Sequence, residues 1–210
     1  ITFALLVVAL SGISGALFNP ALTIGLWTVR KIKTLQAASY IIVQFLGAAV
    51  AWYLFVYFTQ IDGIQNNGAY DARVLVAEVL GTFIFGFAFA AALYQRVNLG
   101  LKAVMIGGGL TVGALIASLG SAGILHPAVA RSLHQWGWGT YVLGPILGSV
   151  VGFNLYNLLF VETEVAEVAE AKAEKKVAAK ATKPAAKKTS ATKKPATKKA
   201  PAKKKAAAKK

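Results

Sequence analysis

The sequence predicts an all-α polytopic membrane protein followed by a separate polar tail, and three observations predict it. Apolar residues make up 56% of the 210-residue chain, yet its net charge is +15. The charge is segregated: residues 1–161 hold seven basic and three acidic residues, whereas 162–210 hold sixteen lysines and five glutamates. The first part also carries apolar stretches close to the roughly 20 residues that a helix needs to cross a bilayer.

Five stretches reach or approach that length, at about 1–17, 35–58, 72–95, 102–120 and 138–160. Glu78 is the one acid at real depth within them. Lys and Arg near helix ends are held on the cytoplasmic side, and Arg30, Lys31, Lys33, Arg96 and Lys102 fall in connections that share a side with the lysine tail. Arg73, Arg131, Asp62 and Asp71 fall on the other side. With the tail inside, five crossings leave Ile1 outside. The chain also starts with Ile rather than Met, so a first helix is expected to be missing from this sequence.

Two interruptions break the pattern. Leu17-Phe18-Asn19-Pro20-Ala21 leads into an apolar run too short to cross, which ends at Arg30. Ile124-Leu125-His126-Pro127-Ala128 leads into another short segment and a Gly-rich break at Trp136-Gly137-Trp138-Gly139. Asn is a strong N-cap, and Pro suits the first helical position because it has no N–H to leave unpaired. Half-helices starting at Pro20 and Pro127 are therefore expected, and the irregular backbone before each must line a cavity or be buried in protein. Tyr40–Val50 aligns without gaps to Tyr141–Val151, sharing Tyr, Leu, Gly and Val at matching places, and each copy follows one Pro-Ala segment. An odd number of crossings per copy inverts the second against the first, so that the two half-helices meet near the midplane.

These residues resemble the major intrinsic protein family, the aquaporins and glycerol facilitators. The run from Ser14 to Ala21, with Asn19, Pro20 and Ala21, is similar to the family's first NPA box, and His126, Pro127 and Ala128 to a variant of the second. Gln44 with Gly47, the segment Ala77 to Phe83, and Gly144-Pro145 with Gly148 match residues of three of the family's helices. The resemblance covers residues 1–160. It implies six crossings and two half-helices, of which five crossings are expected here, in a homotetramer with one pore per subunit. The domains are then a channel domain at 1–161, lacking its first helix, and a Lys/Ala/Pro-rich cytoplasmic tail at 162–210. The resemblance further implies passive passage of water or small neutral solutes such as glycerol through a multi-pass protein of the cell membrane.

The chemistry of such a pore is partly readable from the residues. Two abutting helix N-termini aim two dipole ends, each worth about half an elementary charge, at one point and repel cations there. Asn19 can cap its half-helix with Oδ1 and turn its NH2 to a passing oxygen, which orients a water and hinders proton relay. His126 in its neutral form can imitate this, one ring nitrogen accepting a half-helix N–H and the other donating into the pore. Protonation removes the acceptor, so permeability is expected to fall as pH drops toward or below 6. By resemblance, carbonyls of Gly15, Ala16 and Leu17 and of Ala122, Ile124 and Leu125 line the pore. By the same resemblance, Glu78 accepts backbone N–H bonds of the second re-entrant loop. Spacing carries the family's filter onto Ala114, Gly123 and Val129. Arg131 lies two residues beyond Val129, about 200° around a helix, and is expected to face away from the pore. That constriction without an arginine argues for a pore wide enough for glycerol-like solutes.

An enzyme is not expected. His126 and His134, eight residues apart, are too distant on a helix to share a metal, and no Ser-His-acid or phosphate-loop spacing exists. No metal or cofactor is implied. The tail is Glu-rich to about Glu174 and then Lys and Ala with Pro184, Pro195 and Pro201, with no large apolar residues to form a core, so disorder is expected. Such a polycation suits anionic lipid ahead of nucleic acid. A poorly conducting membrane anchor with a binding tail is the alternative function.

Overall fold

A computed structural model of the chain describes residues 1–61, 69–135 and 137–161. The chain separates into units at Ile1–Ala169 and Glu170–Lys210. Asp62, Trp136 and the tail, with its expected disorder, lie outside the described residues.

Among the described residues the α-helices are α1 (Thr2–Ser14), α2 (Pro20–Thr28), α3 (Thr34–Thr59), α4 (Ala72–Tyr94), α5 (Leu99–Ala117), α6 (Pro127–Ser132) and α7 (Leu143–Tyr156). Wider π-helical turns at Trp138–Val142 and Asn157–Val161 extend α7 into one 24-residue rod. Pro145 accounts for the first of these turns. It has no N–H for the carbonyl four residues back, and its ring crowds that carbonyl. That rod, α3, α4 and α5 are each long and apolar enough to cross a membrane.

The stretch 1–17, expected as a crossing, is helical for only 13 residues. At about 1.5 Å per residue the helix present in this sequence is roughly 20 Å long. The helix stops before Leu17 for a local reason: Gly15 and Ala16 take left-handed φ of 68° and 58°, and the Gly15 N–H closes the helix on Ser11 O. The two short segments are separate helices, nine residues in α2 and six in α6, each with proline in its first turn.

Without water to drive apolar surfaces together, helices in lipid associate through close packing and small residues. α4 sits between α5 and α7. Gly144, Gly148 and Gly152, one turn apart, place α7 against α4 so closely that a Cβ on Gly148 would overlap the Val79 carbonyl oxygen. Gly81 and Gly113 do the same between α4 and α5, each opposite the other's carbonyl. Phe85, Phe89 and Phe153 fill the space beside them, with Phe89 and Phe153 5.9 Å apart. α2 enters this core, and Gly25 lets it approach Ser149 and Phe153 of α7. Gly148 is packed against backbone of α4, and in this structure a Cβ on its counterpart Gly47 in α3 would meet nothing within 4 Å.

One end of the bundle gathers the end of α2, the start of α3 and the ends of α4 and α7. Lys31 Nζ lies 4.5 Å over the Tyr94 ring, Tyr94 OH donates to Asn157 Oδ1 at 2.8 Å, and Asn154 Nδ2 donates to Thr28 Oγ1 at 2.8 Å.

Candidate functional site

Each half-helix begins with the same local chemistry. Asn19 holds extended backbone (φ −124°, ψ 124°), and its Oδ1 accepts from Ala21 N at 2.9 Å, with Pro20 next in line. His126 is likewise extended (φ −145°, ψ 103°), and its Nδ1 accepts from Val129 N at 3.3 Å, with Pro127 following. The caps close the first turns of α2 and α6.

The two caps also reach across to each other's lead. Asn19 Nδ2 donates to Leu125 O at 2.9 Å, and His126 Nε2 stands 2.9 Å from Phe18 O. A carbonyl can only accept and an amide N–H can only donate, so the pair of contacts selects neutral imidazole with its proton on Nε2. Each cap thus holds the carbonyl of the residue just before the opposite cap, and the N-termini of α2 and α6 are clasped together.

This geometry corrects two expectations. His126 does not donate into a pore, because its single N–H is spent on Phe18 and its lone pair on Val129. Asn19, 1% exposed, directs one of its two amide hydrogens to Leu125 rather than to a passing solute.

Side chains of two long helices hold the leads. Glu78 is fully buried in α4. Its Oε1 accepts from Ser121 Oγ at 2.7 Å and Ile124 N at 3.0 Å, and its Oε2 accepts from Leu125 N at 2.8 Å. Gln44 of α3 does the corresponding work for the first lead, donating through Nε2 to Leu17 O and to Thr23 Oγ1, both at 2.9 Å. Thr23 Oγ1 in turn donates to Asn19 O at 2.9 Å. No role for Gln44 was legible in the sequence. Its signals there are a match, with Gly47, to a helix of the resembled family and an amide inside an apolar span, which must find partners wherever it points.

The expected ladder of open carbonyls is shorter than predicted. Ala16 and Leu125 are fully buried, and the Leu17 and Leu125 carbonyls accept Gln44 and Asn19. Gly15, Ala122 and Ile124 keep exposure. The left-handed residues of the second lead are Gly123 (φ 62°) and Leu125 (φ 55°).

Of the filter positions, Ala114 and Gly123 are brought together, since a Cβ on Gly123 would stand 2.7 Å from Ala114 O. Val129 lines an apolar groove with Trp52, Phe55 and Leu133. The Arg131 guanidinium carbon lies 4.8 Å over the Trp138 ring.

Two half-helices clasped by their N-termini among crossing helices define a re-entrant, multi-pass membrane protein. Residues 1–156 match the family described as "Major intrinsic protein", and the chain belongs to that family, whose members are channels and not enzymes. It is similar to Aquaporin AqpM of Methanothermobacter marburgensis, 34% identical over 175 residues that cover 72% of this chain and 70% of that one. It is also similar to Aquaporin Z of Photorhabdus laumondii, 30% identical over 188 residues covering 78% and 81%. Aquaporin-2 of Rattus norvegicus is 31% identical over 170 residues, 74% of this chain and 62% of the relative.

Proposed function

We propose that the chain is a passive channel for water and small neutral solutes such as glycerol, and that it excludes ions. The clasp between Asn19, Leu125, His126 and Phe18 is the observation that carries this reading. It aims two helix dipoles at one place, where about half an elementary charge from each opposes a cation. The second amide hydrogen of Asn19 is the donor left for a passing oxygen. The exposed faces of Gly15, Ala122 and Ile124 supply acceptors. Ala114 and Gly123 add little bulk at the constriction, which favours solutes of glycerol size. A homotetramer with one path per subunit accompanies this reading. So does a cytoplasmic tail that lies on anionic lipid.

Stopped-flow light scattering of proteoliposomes tests it. Water and glycerol fluxes several-fold above those of empty vesicles, with ion conductance at background, are expected. Fluxes equal to those of empty vesicles would remove the channel reading and leave a membrane anchor.

A further inference from the structure

We propose that the cavity between the end of α2 and the start of α3 is a binding site for the phosphate of an anionic membrane lipid. This cavity, about 650 Å³, is lined by Trp27, Thr28, Arg30, Ile32, Lys33 and Thr34. Two cations and the Thr34 hydroxyl, whose hydrogen is not used by the bond from Trp27, are groups that recognise a phosphate diester, and Arg adds a planar fork of donors. No acid lies among the described lining residues.

The walls are held in place from both sides. Trp27 Nε1 donates to Thr34 Oγ1 at 3.1 Å, which ties α2 to α3 and fixes the indole edge. Thr28 is gripped by Asn154 of α7 at 2.8 Å and itself donates to Gly25 O at 2.7 Å. Arg30 takes a left-handed φ of 58°, with its N–H bound to Trp27 O. The turn sorts three neighbouring cations. Lys31 leaves for the Tyr94 ring, while Arg30 and Lys33 stay with the cavity.

The occupant is a lipid rather than a free anion because of where the cavity lies. It lies at the start of a crossing helix whose Leu35, Ile42 and Leu46 are exposed along one face, giving acyl chains a surface to follow below the headgroup. Trp27, 42% exposed, is an amphipathic ring of the kind that settles at the level of headgroups.

Native mass spectrometry of the full chain in detergent tests this, with phosphatidylglycerol and phosphatidylcholine as probes. Wild type should prefer phosphatidylglycerol, and R30Q/K33Q should lose about tenfold or more of that binding with phosphatidylcholine unchanged. Each single substitution should give part of the loss, and R30K/K33R should restore it. Lys102→Gln, outside the cavity, and removal of residues 175–210 should leave the preference in place. Four results would overturn the proposal. They are R30Q/K33Q binding as wild type, loss of the preference with the tail, displacement of the lipid by millimolar inorganic phosphate, and a wild type without preference.

Discussion

A carboxylate inside an apolar helix is costly unless its oxygens are met by donors, and Glu78 meets three. Glu78→Gln would set an NH2 against one of those donors and leave a buried N–H unpaired, at a cost of about 1–3 kcal/mol. The variant is expected to melt earlier in detergent and to conduct less. A variant that melts and conducts like wild type would show that the carboxylate is not what holds the second lead. His126 poses the opposite problem, a cap that works only while its ring is neutral. Protonation of Nδ1 would break the bond from Val129 and place a charge beside the clasp. Flux is therefore expected to fall between pH 8 and pH 4 in wild type and to stay level in His126→Asn; parallel profiles would refute this. Asp71 caps α4 from outside the span, accepting from Arg73 N at 2.8 Å, and that bond lowers its pKa. With the folded value depressed, the cap stabilises above the ordinary carboxylate value of about 3.9 and is lost as pH falls through the folded value. Amide exchange at Arg73, corrected for its intrinsic pH dependence, should rise in acid in wild type, and Asp71→Ala should show the fast rate at every pH.

The short helices exist because proline and a capping side chain stand together, and they stop being loops only because other helices hold their leads. The long helices depend on close approach as well, and Gly148 of α7 lies against the backbone of α4. Gly148→Val is expected to push α7 off α4 and lower the yield of folded protein, read by size exclusion and thermal unfolding; unchanged behaviour of both would mean that the close approach does not hold these rods together. The first stretch teaches the same lesson. An apolar run up to Leu17 reads as one helix, but hydropathy carries no information about the left-handed turn at Gly15 and Ala16, which the return of the chain toward Asn19 requires.

For the molecule as a whole, channel and tail are separable in the proposed function. Removing residues 175–210 is expected to leave water flux unchanged, and a loss of flux would show that the tail serves the pore. Much was legible in the sequence: a membrane domain, long crossing helices, two proline-led half-helices and a carboxylate at depth. These depend on near neighbours, since backbone in lipid must bond within its own helix and proline cannot donate. The site was legible only as a set of residues. Nothing in composition or spacing told that Asn19 holds Leu125, that His126 holds Phe18, or that Gln44 braces the first lead. Asn19 and Leu125 are 106 residues apart and His126 and Phe18 are 108, so only the packing of distant helices brings them within a hydrogen bond. A cap's second partner is chosen by whatever the fold sets opposite it.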